Sequence, residues 1–219
     1  MGIVFLTLFG LFSLLHLTSS WKNDRTGRAK TKPFLISSLA LAYLFSAENP
    51  SALLLAALLT SWLGDVLLIP RGNRWVILGG ISFLGSHFLL MGLYLPHIRF
   101  AAVPWFWLLP VAAVYTLLSV RSIRSIWDNT PKLMLIAFCL YLLTNSSMNL
   151  LALMQLLTSR HPGAAVSYAG AVLFFLSDCI LLLVRYHRNP DLIPKHHFPV
   201  MLCYLSGEFL ITLGMCMMA

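Results

Sequence analysis

The chain has 219 residues, of which 59% are hydrophobic and only 10% are charged, and its mean hydropathy is +0.83. Soluble domains carry roughly 25% charged residues, so this composition excludes an ordinary soluble globular protein. Long apolar runs joined by short polar links are instead typical of a polytopic helical membrane protein. The net charge of +8 is therefore interpreted as basic loops beside anionic lipid, and no nucleic-acid partner is predicted.

Eight apolar segments follow one another along the chain, and each is predicted to be a transmembrane helix. They cover approximately residues 2–19, 33–47, 51–69, 75–96, 103–120, 132–157, 165–184 and 198–218. The first segment has neither a basic flank before it nor a small-residue cleavage site after it, so it is predicted to be a retained helix and not a signal peptide. The predicted fold class is all-α, with a single integral membrane domain over residues 1–219.

The basic residues lie in alternate links between these segments. Thirteen of the fifteen Lys and Arg residues fall in the odd-numbered links, and only Arg99 and Arg160 fall in the even-numbered ones. By the positive-inside rule, this asymmetry places the odd links in the cytoplasm and both termini outside. A bacterial inner membrane is the preferred location, with an endoplasmic reticulum membrane as the alternative.

Two apolar segments each contain one aspartate. Asp65 lies in LLTSWLGDVLLIPR at residues 58–71, and Asp178 lies in VLFFLSDCILLLVR at residues 172–185. With a rise of 1.5 Å per residue, both carboxylates are predicted to lie roughly 7–10 Å inside the cytoplasmic ends of their helices. An acid inside the membrane is costly and is usually functional. The alternative is structural, in which each Asp pairs with a lysine or caps a broken helix.

A possible internal repeat relates the two halves of the chain, residues 1–100 and 101–219. GSHFLLMG at residues 85–92 aligns with SGEFLITLG at residues 206–214, so that His87 corresponds to Glu208. The repeat would make two parallel four-helix units related by an axis along the membrane normal. His87, Glu208 and Tyr204 are therefore candidate site residues deeper in the membrane. A further polar cluster, Thr144, Asn145, Ser146, Ser147 and Asn149, is interpreted mainly as polar contacts between helices.

No cofactor and no metal are predicted. His87, Asp65 and Asp178 could supply three metal ligands, but their spacing along the chain does not demand a metal site. The four cysteines have neither redox nor metal-ligand spacing and are interpreted as small core residues.

Several motifs of the chain resemble the YhhN family, the lysoplasmalogenases. They are RAKTKPFL, SWLGDVLLIP, FLGSHFLLMGLYL, AGAVLFFLSDCILL and CYLSGEFLITLG, in this order. The resemblance implies eight transmembrane helices and hydrolysis of the vinyl ether bond of lysoplasmalogens. The products would be a fatty aldehyde and glycerophosphoethanolamine or glycerophosphocholine. The acidic positions of the family correspond to Asp65 and Asp178, and its histidine position corresponds to His87.

Vinyl ether hydrolysis suits a pair of buried carboxyl groups. One protonated acid would deliver a proton to the alkene, and one ionised carboxylate would stabilise the resulting cation, as in glycoside hydrolysis. Lys32, Arg71 and Arg185 are candidates for binding the lipid phosphate as charged donors. A polar cavity open to the cytoplasm and a hydrophobic slot for the lipid chain are also expected. The competing functions are a proton-coupled transporter of a small solute and a lipid-binding membrane protein without catalysis.

Overall fold

A computed structural model describes residues 1–159, 161–189, 192–195 and 197–218, and all regular structure in this part of the chain is helical. The α-helices are α1 (Gly2–Trp21), α2 (Arg25–Thr31), α3 (Leu35–Ser46), α4 (Ala52–Leu67), α5 (Asn73–Tyr94), α6 (Trp105–Ile126), α7 (Lys132–Ser159), α8 (Pro162–Tyr186) and α9 (His197–Met218). Each of the eight predicted segments overlaps one of the helices α1 and α3–α9, with ends that differ by up to six residues. The short helix α2 lies in the first basic link and was not predicted.

Six helices are long and apolar enough to cross a membrane, namely α1 and α5–α9. They indicate an integral membrane protein, so the all-helical membrane class is confirmed. The remaining two helices are shorter, with 12 residues in α3 and 16 in α4. Because about 20 residues are needed to cross a bilayer core, the count of eight complete spans stays a prediction.

Neighbouring helices pack antiparallel, as in α7 and α8, where Tyr141 bonds Asp178 and Tyr186 bonds Met134. Phe12 of α1 stacks on Phe34 just before α3, and Ser61 of α4 donates a 2.9 Å hydrogen bond to Ser86 of α5. The four basic links lie at one end of the bundle, because residues of the first, third and seventh links line one cavity and residues of the fifth and seventh links line another. We call this end the basic end. There Lys195 Nζ of the last link lies 3.5 Å from the ring centroid of Trp21.

The closest helix packing occurs between α8 and α9, where glycines face one another. A Cβ atom added to Gly170 would lie 2.7 Å from the backbone oxygen of Gly207, and one added to Gly207 would lie 3.0 Å from the backbone nitrogen of Phe174. Small residues allow backbones to approach this closely in membrane helices. The contact fixes α9 against α8 and so sets the position of Tyr204 relative to Asp178.

Helix α2 is stabilised by a side-chain contact at each of its ends. Asp24 precedes it, and the backbone N–H of Thr26 donates a 3.0 Å hydrogen bond to its carboxylate, which is an N-cap. Thr31 at its end hydrogen-bonds to His16 of α1 over 2.8 Å. The cap and this bond hold the basic first link over the end of the bundle, and Lys32 follows directly after α2.

The two halves of the chain contribute similar helix pairs. In each half, an Asp-bearing helix packs antiparallel to the next helix, α4 with α5 and α8 with α9. The predicted repeat and the single domain over residues 1–219 both stay predictions.

Candidate active site

Asp65, near the end of α4, is buried and has a donor on each oxygen. The Lys32 ammonium lies 3.1 Å from Oδ1, and the Tyr204 hydroxyl donates a 2.8 Å hydrogen bond to Oδ2. The Asp65 side chain is 3% exposed and that of Lys32 is 15% exposed. The carboxylate is therefore held by a cation from the first basic link and by a tyrosine of α9.

Asp178, on α8, is also buried, but its contacts differ from those of Asp65. The Tyr141 hydroxyl and the Asn145 amide each donate a 2.7 Å hydrogen bond to Oδ2. The His87 Nε2 atom lies 3.9 Å from the same oxygen. Among the described residues, no Lys or Arg forms an ion pair with Asp178.

Hydrogen bonds continue from Asp178 into the bundle along α7. Asn149 donates to Asn145 Oδ1 over 2.9 Å, and Tyr115 of α6 donates to Asn149 Oδ1 over 3.1 Å. Asn145 and Asn149 are both completely buried. Because the donors and acceptors of buried amides need partners, this chain fixes which side of Asn145 faces Asp178.

A polar cavity of about 390 Å³ connects the two carboxylates with the basic end. Asp65, Asp178 and Tyr204 line its buried part. Basic side chains from three links and from α1 line the rest, namely His16, Arg25, Arg28, Lys32, Arg71, Arg185 and His197. The cavity can therefore hold an anionic group near its mouth and bring that ligand into contact with both acids.

A second cavity, of about 280 Å³, lies between α5, α7 and α8 and is lined almost entirely by apolar groups. Val76, Ile81, Ala137 and Phe138 are among its lining residues. We call it the apolar slot. Five residues line both the polar cavity and the apolar slot, namely Leu68, Phe83, Asp178, Leu181 and Arg185. Asp178 therefore lies where a polar site meets an apolar one.

Residues 27–215 match the YhhN family. The chain belongs to the YhhN family. This match confirms the resemblance carried by its sequence motifs. No curated protein and no solved structure matches the chain.

The structure brings most of the predicted site residues of this YhhN protein to one place. Asp65, Asp178 and Tyr204 line the polar cavity, as do the three predicted phosphate ligands Lys32, Arg71 and Arg185. Arg71 and Arg185 are exposed at the cavity mouth. Lys32 instead reaches into the cavity and forms an ion pair with Asp65, which is the lysine contact that the structural alternative also expects, and the role of this carboxylate stays a prediction.

His87 and Glu208 lie beside the acid pair but do not line either cavity. Both are buried, with 0% and 2% exposure. The His87 ring contacts the rings of Tyr141 and Phe174, with centroids 5.2 and 5.1 Å apart. Both ring nitrogens of His87 and Oε1 of Glu208 are buried without a hydrogen-bond partner. The structure thus places them behind the cavity wall, and contact with substrate stays a prediction for both.

Two residues that donate hydrogen bonds to Asp178 were not predicted to do so from the sequence. Tyr141 was not singled out, and Asn145 was interpreted as a contact between helices. The sequence does carry a signal for these residues. Tyr141, Asn145 and Asn149 are spaced four residues apart, so their side chains lie on one face of α7. Tyr141 is inconspicuous in an apolar segment because most of its ring is apolar.

No metal centre is formed by the described residues, since no three His, Cys, Asp or Glu side chains are grouped to hold an ion. The four cysteines are free and are dispersed over α7, α8 and α9. The side chains gathered around the two carboxyl groups include two tyrosines and a set of cations.

Proposed function

We propose that this protein hydrolyses the vinyl ether bond of a lysoplasmalogen, releasing a fatty aldehyde and a glycerophosphoethanolamine or glycerophosphocholine. Membership of the YhhN family supports a lysoplasmalogenase-like role. The observation that carries the proposal is the position of Asp178, which lines both the polar cavity and the apolar slot. The scissile bond of a lysoplasmalogen lies at the same boundary, between a polar headgroup and an apolar chain.

The two cavities suit the two parts of such a lipid. The cations at the mouth of the polar cavity are suitable donors for the phosphate, which Arg binds through charge-assisted hydrogen bonds. The apolar slot offers a surface for the first carbons of the alkenyl chain, whose burial stabilises binding by about 0.8 kcal/mol per methylene group. With the basic end in the cytoplasm, the substrate would come from the inner leaflet.

The reaction needs an acid and a source of water at one place. A carboxylic acid donates a proton to the outer alkene carbon, and the π electrons form the new C–H bond. The positive charge is then shared by the inner carbon and the ether oxygen. Water adds to that carbon, and the hemiacetal breaks into an aldehyde and an alcohol. The paired acids Asp65 and Asp178 offer the acid and the carboxylate that this sequence requires.

The direct test is aldehyde release from lysoplasmenylethanolamine by the purified protein. The matched control substrate is the saturated alkyl ether of the same chain length, which cannot be protonated at carbon. Asp65→Asn and Asp178→Asn should each abolish release, whereas Asp128→Asn, an exposed residue at the basic end, should not. Equal rates in the wild type and both site variants would overturn the proposal.

A proton-coupled transporter is the second candidate. One observation favours it, namely the chain of hydrogen bonds that leads from Asp178 through Asn145 and Asn149 to Tyr115 and away from the basic end. Intramembrane acids in such chains are typical of proton pathways. Proteoliposomes that carry a pH gradient and an internal pH dye distinguish the two, because a hydrolase should release aldehyde without any solute-dependent proton flux.

A further inference from the structure

We infer that the two carboxyl groups have different and fixed roles, with Asp178 as the acid that protonates the substrate and Asp65 as the ionised carboxylate that receives a proton from water. This inference rests on the proposed function for the reaction, but the protonation states themselves can be measured without substrate. It follows from the different sets of partners that the two groups have.

Asp65 is arranged to stay ionised. Each of its oxygens faces a donor, Lys32 Nζ at 3.1 Å and the Tyr204 hydroxyl at 2.8 Å. An ammonium beside a buried carboxylate favours the charged form, and a hydrogen bond donated to the carboxylate favours it further. A protonated Asp65 would leave a charged Lys32 without its partner, in a position that is only 15% exposed.

Asp178 is arranged to hold a proton. Its two hydrogen-bond donors, Tyr141 and Asn145, are both neutral and both bind Oδ2. Among the described residues, Oδ1 has no donor, although Asp178 lines both cavities. A buried carboxyl group without a cation is stabilised in its neutral form. The proton on Oδ1 would then lie where the alkene of a bound lipid passes from the slot to the cavity.

The other ionisable groups around Asp178 do not change this assignment. His87 is the nearest, but it is completely buried between two aromatic rings and neither ring nitrogen has a hydrogen bond. A charged imidazolium in that position would lack any hydrogen bond, so His87 is neutral. Glu208 of α9 is buried as well, its Oε1 atom has no hydrogen-bond partner and its neighbour Ser61 is neutral, so the same argument makes Glu208 protonated. A neutral His87 and a neutral Glu208 add no charge beside Asp178, so its protonated form stays favoured.

With these two roles, every proton that moves during the reaction is accounted for. Asp178 gives its proton to the outer alkene carbon and becomes a carboxylate beside the new cation. Water then adds to the inner carbon and gives a proton to Asp65. In the last step, Asp65 returns this proton to the glycerol oxygen as the C–O bond breaks. Asp178 takes the hydroxyl proton of the hemiacetal, so both groups regain their starting states.

Infrared spectroscopy of the purified, substrate-free protein tests the assignment, because a protonated carboxyl group has a carbonyl stretch that an ionised one lacks. We expect two such bands, from Asp178 and Glu208, and both should persist in Asp128→Asn and Asp65→Asn. One band should disappear in Asp178→Asn and the other in Glu208→Gln. Lys32→Met should add a further band, which disappears when Asp65→Asn is introduced into the same variant. If Asp178→Asn does not fold, Tyr141→Phe keeps the carboxyl group and should shift the frequency of its band by removing a donor.

Loss of a wild-type band in Asp65→Asn, or the persistence of both wild-type bands in Asp178→Asn, would overturn the assignment. The absence of any carbonyl band in the wild type would overturn it too, since both acids would then be ionised. A wild-type protein that releases no aldehyde would instead refute the proposed function. The infrared bands would still decide which carboxyl group is protonated, so the two failures are distinguishable.

Discussion

The ammonium of Lys32 lies 3.1 Å from Oδ1 of Asp65, and this ion pair joins the first basic link to a helix within the bundle. Lys32 directly follows helix α2, whose cap at Asp24 fixes the link. The contact therefore connects the fold of a polar segment at the basic end to the charge state of a buried acid. Removal of the lysine should disturb both stability and activity.

Lys32→Met should lower the free energy of unfolding by about 3 kcal/mol, because it leaves the buried Asp65 carboxylate without its counter-ion. In an Asp65→Asn background the same substitution should cost less than about 1 kcal/mol. Denaturant unfolding in mixed micelles gives the four values of this double-mutant cycle. Lys30→Met is the matched control, because Lys30 is exposed and lies only two residues away. Equal costs of Lys32→Met in both backgrounds would show that the pair contributes nothing.

Tyr204→Phe removes the donor to Oδ2 of Asp65 while keeping the ring contacts with Phe83 and Phe174. A hydrogen bond to a charged group contributes about 1.5–3 kcal/mol, so kcat should fall by roughly 10- to 100-fold. The matched control is Tyr94→Phe, which removes an equally buried hydroxyl that bonds Ser167 instead. A similar loss of kcat in both variants would mean that the effect comes from weaker helix packing and not from the lost hydrogen bond to Asp65.

The apolar slot should set the length of lipid chain that the protein accepts. Ala137 lines the slot, and Ala137→Phe should fill part of it. Each methylene group that can no longer enter the slot costs about 0.8 kcal/mol of binding free energy, so kcat/KM for long-chain substrates should fall about fourfold per methylene. The value for short-chain substrates should not change. A series of alkenyl chain lengths measures this change. Ala113→Phe on the exposed face of α6 should not change the preference.

The glycine contact between α8 and α9 should be sensitive to a single methyl group. A Cβ atom at position 170 would meet the backbone of Gly207 and, at 2.6 Å, the backbone nitrogen of Ile211, neither of which can move aside cheaply. Gly170→Ala should therefore lower the free energy of unfolding by about 1–3 kcal/mol. Gly10→Ala, with no atom within 4 Å of the added carbon, should be neutral or slightly stabilising because alanine favours a helix. A neutral Gly170→Ala would contradict the close packing.

Much of the fold could be predicted because apolar runs and basic links leave strong signals in the sequence. Asp65 and Asp178 were identifiable for the same reason, as rare acids in apolar segments. The partners of these acids were harder to find, because Lys32 and Tyr204 reach Asp65 only through the rotation and packing of helices far apart in sequence. Helix α2 was missed because seven residues in a basic link have no hydrophobic period, although its Asp24 cap is visible. The lengths of α3 and α4 depend on where the chain turns at Lys32–Phe34 and beyond Leu67, and apolar composition does not determine these ends.

The central claim is that a carboxyl group of this site protonates the outer alkene carbon of a vinyl ether. The most direct test is to run the reaction in D₂O, reduce the aldehyde at once to prevent exchange, and locate deuterium by mass spectrometry. The account predicts one solvent-derived deuterium on the carbon next to the former aldehyde carbon, and no product from the Asp178→Asn variant. An aldehyde-derived product without deuterium at that carbon would mean that the bond breaks by another route and would contradict the account.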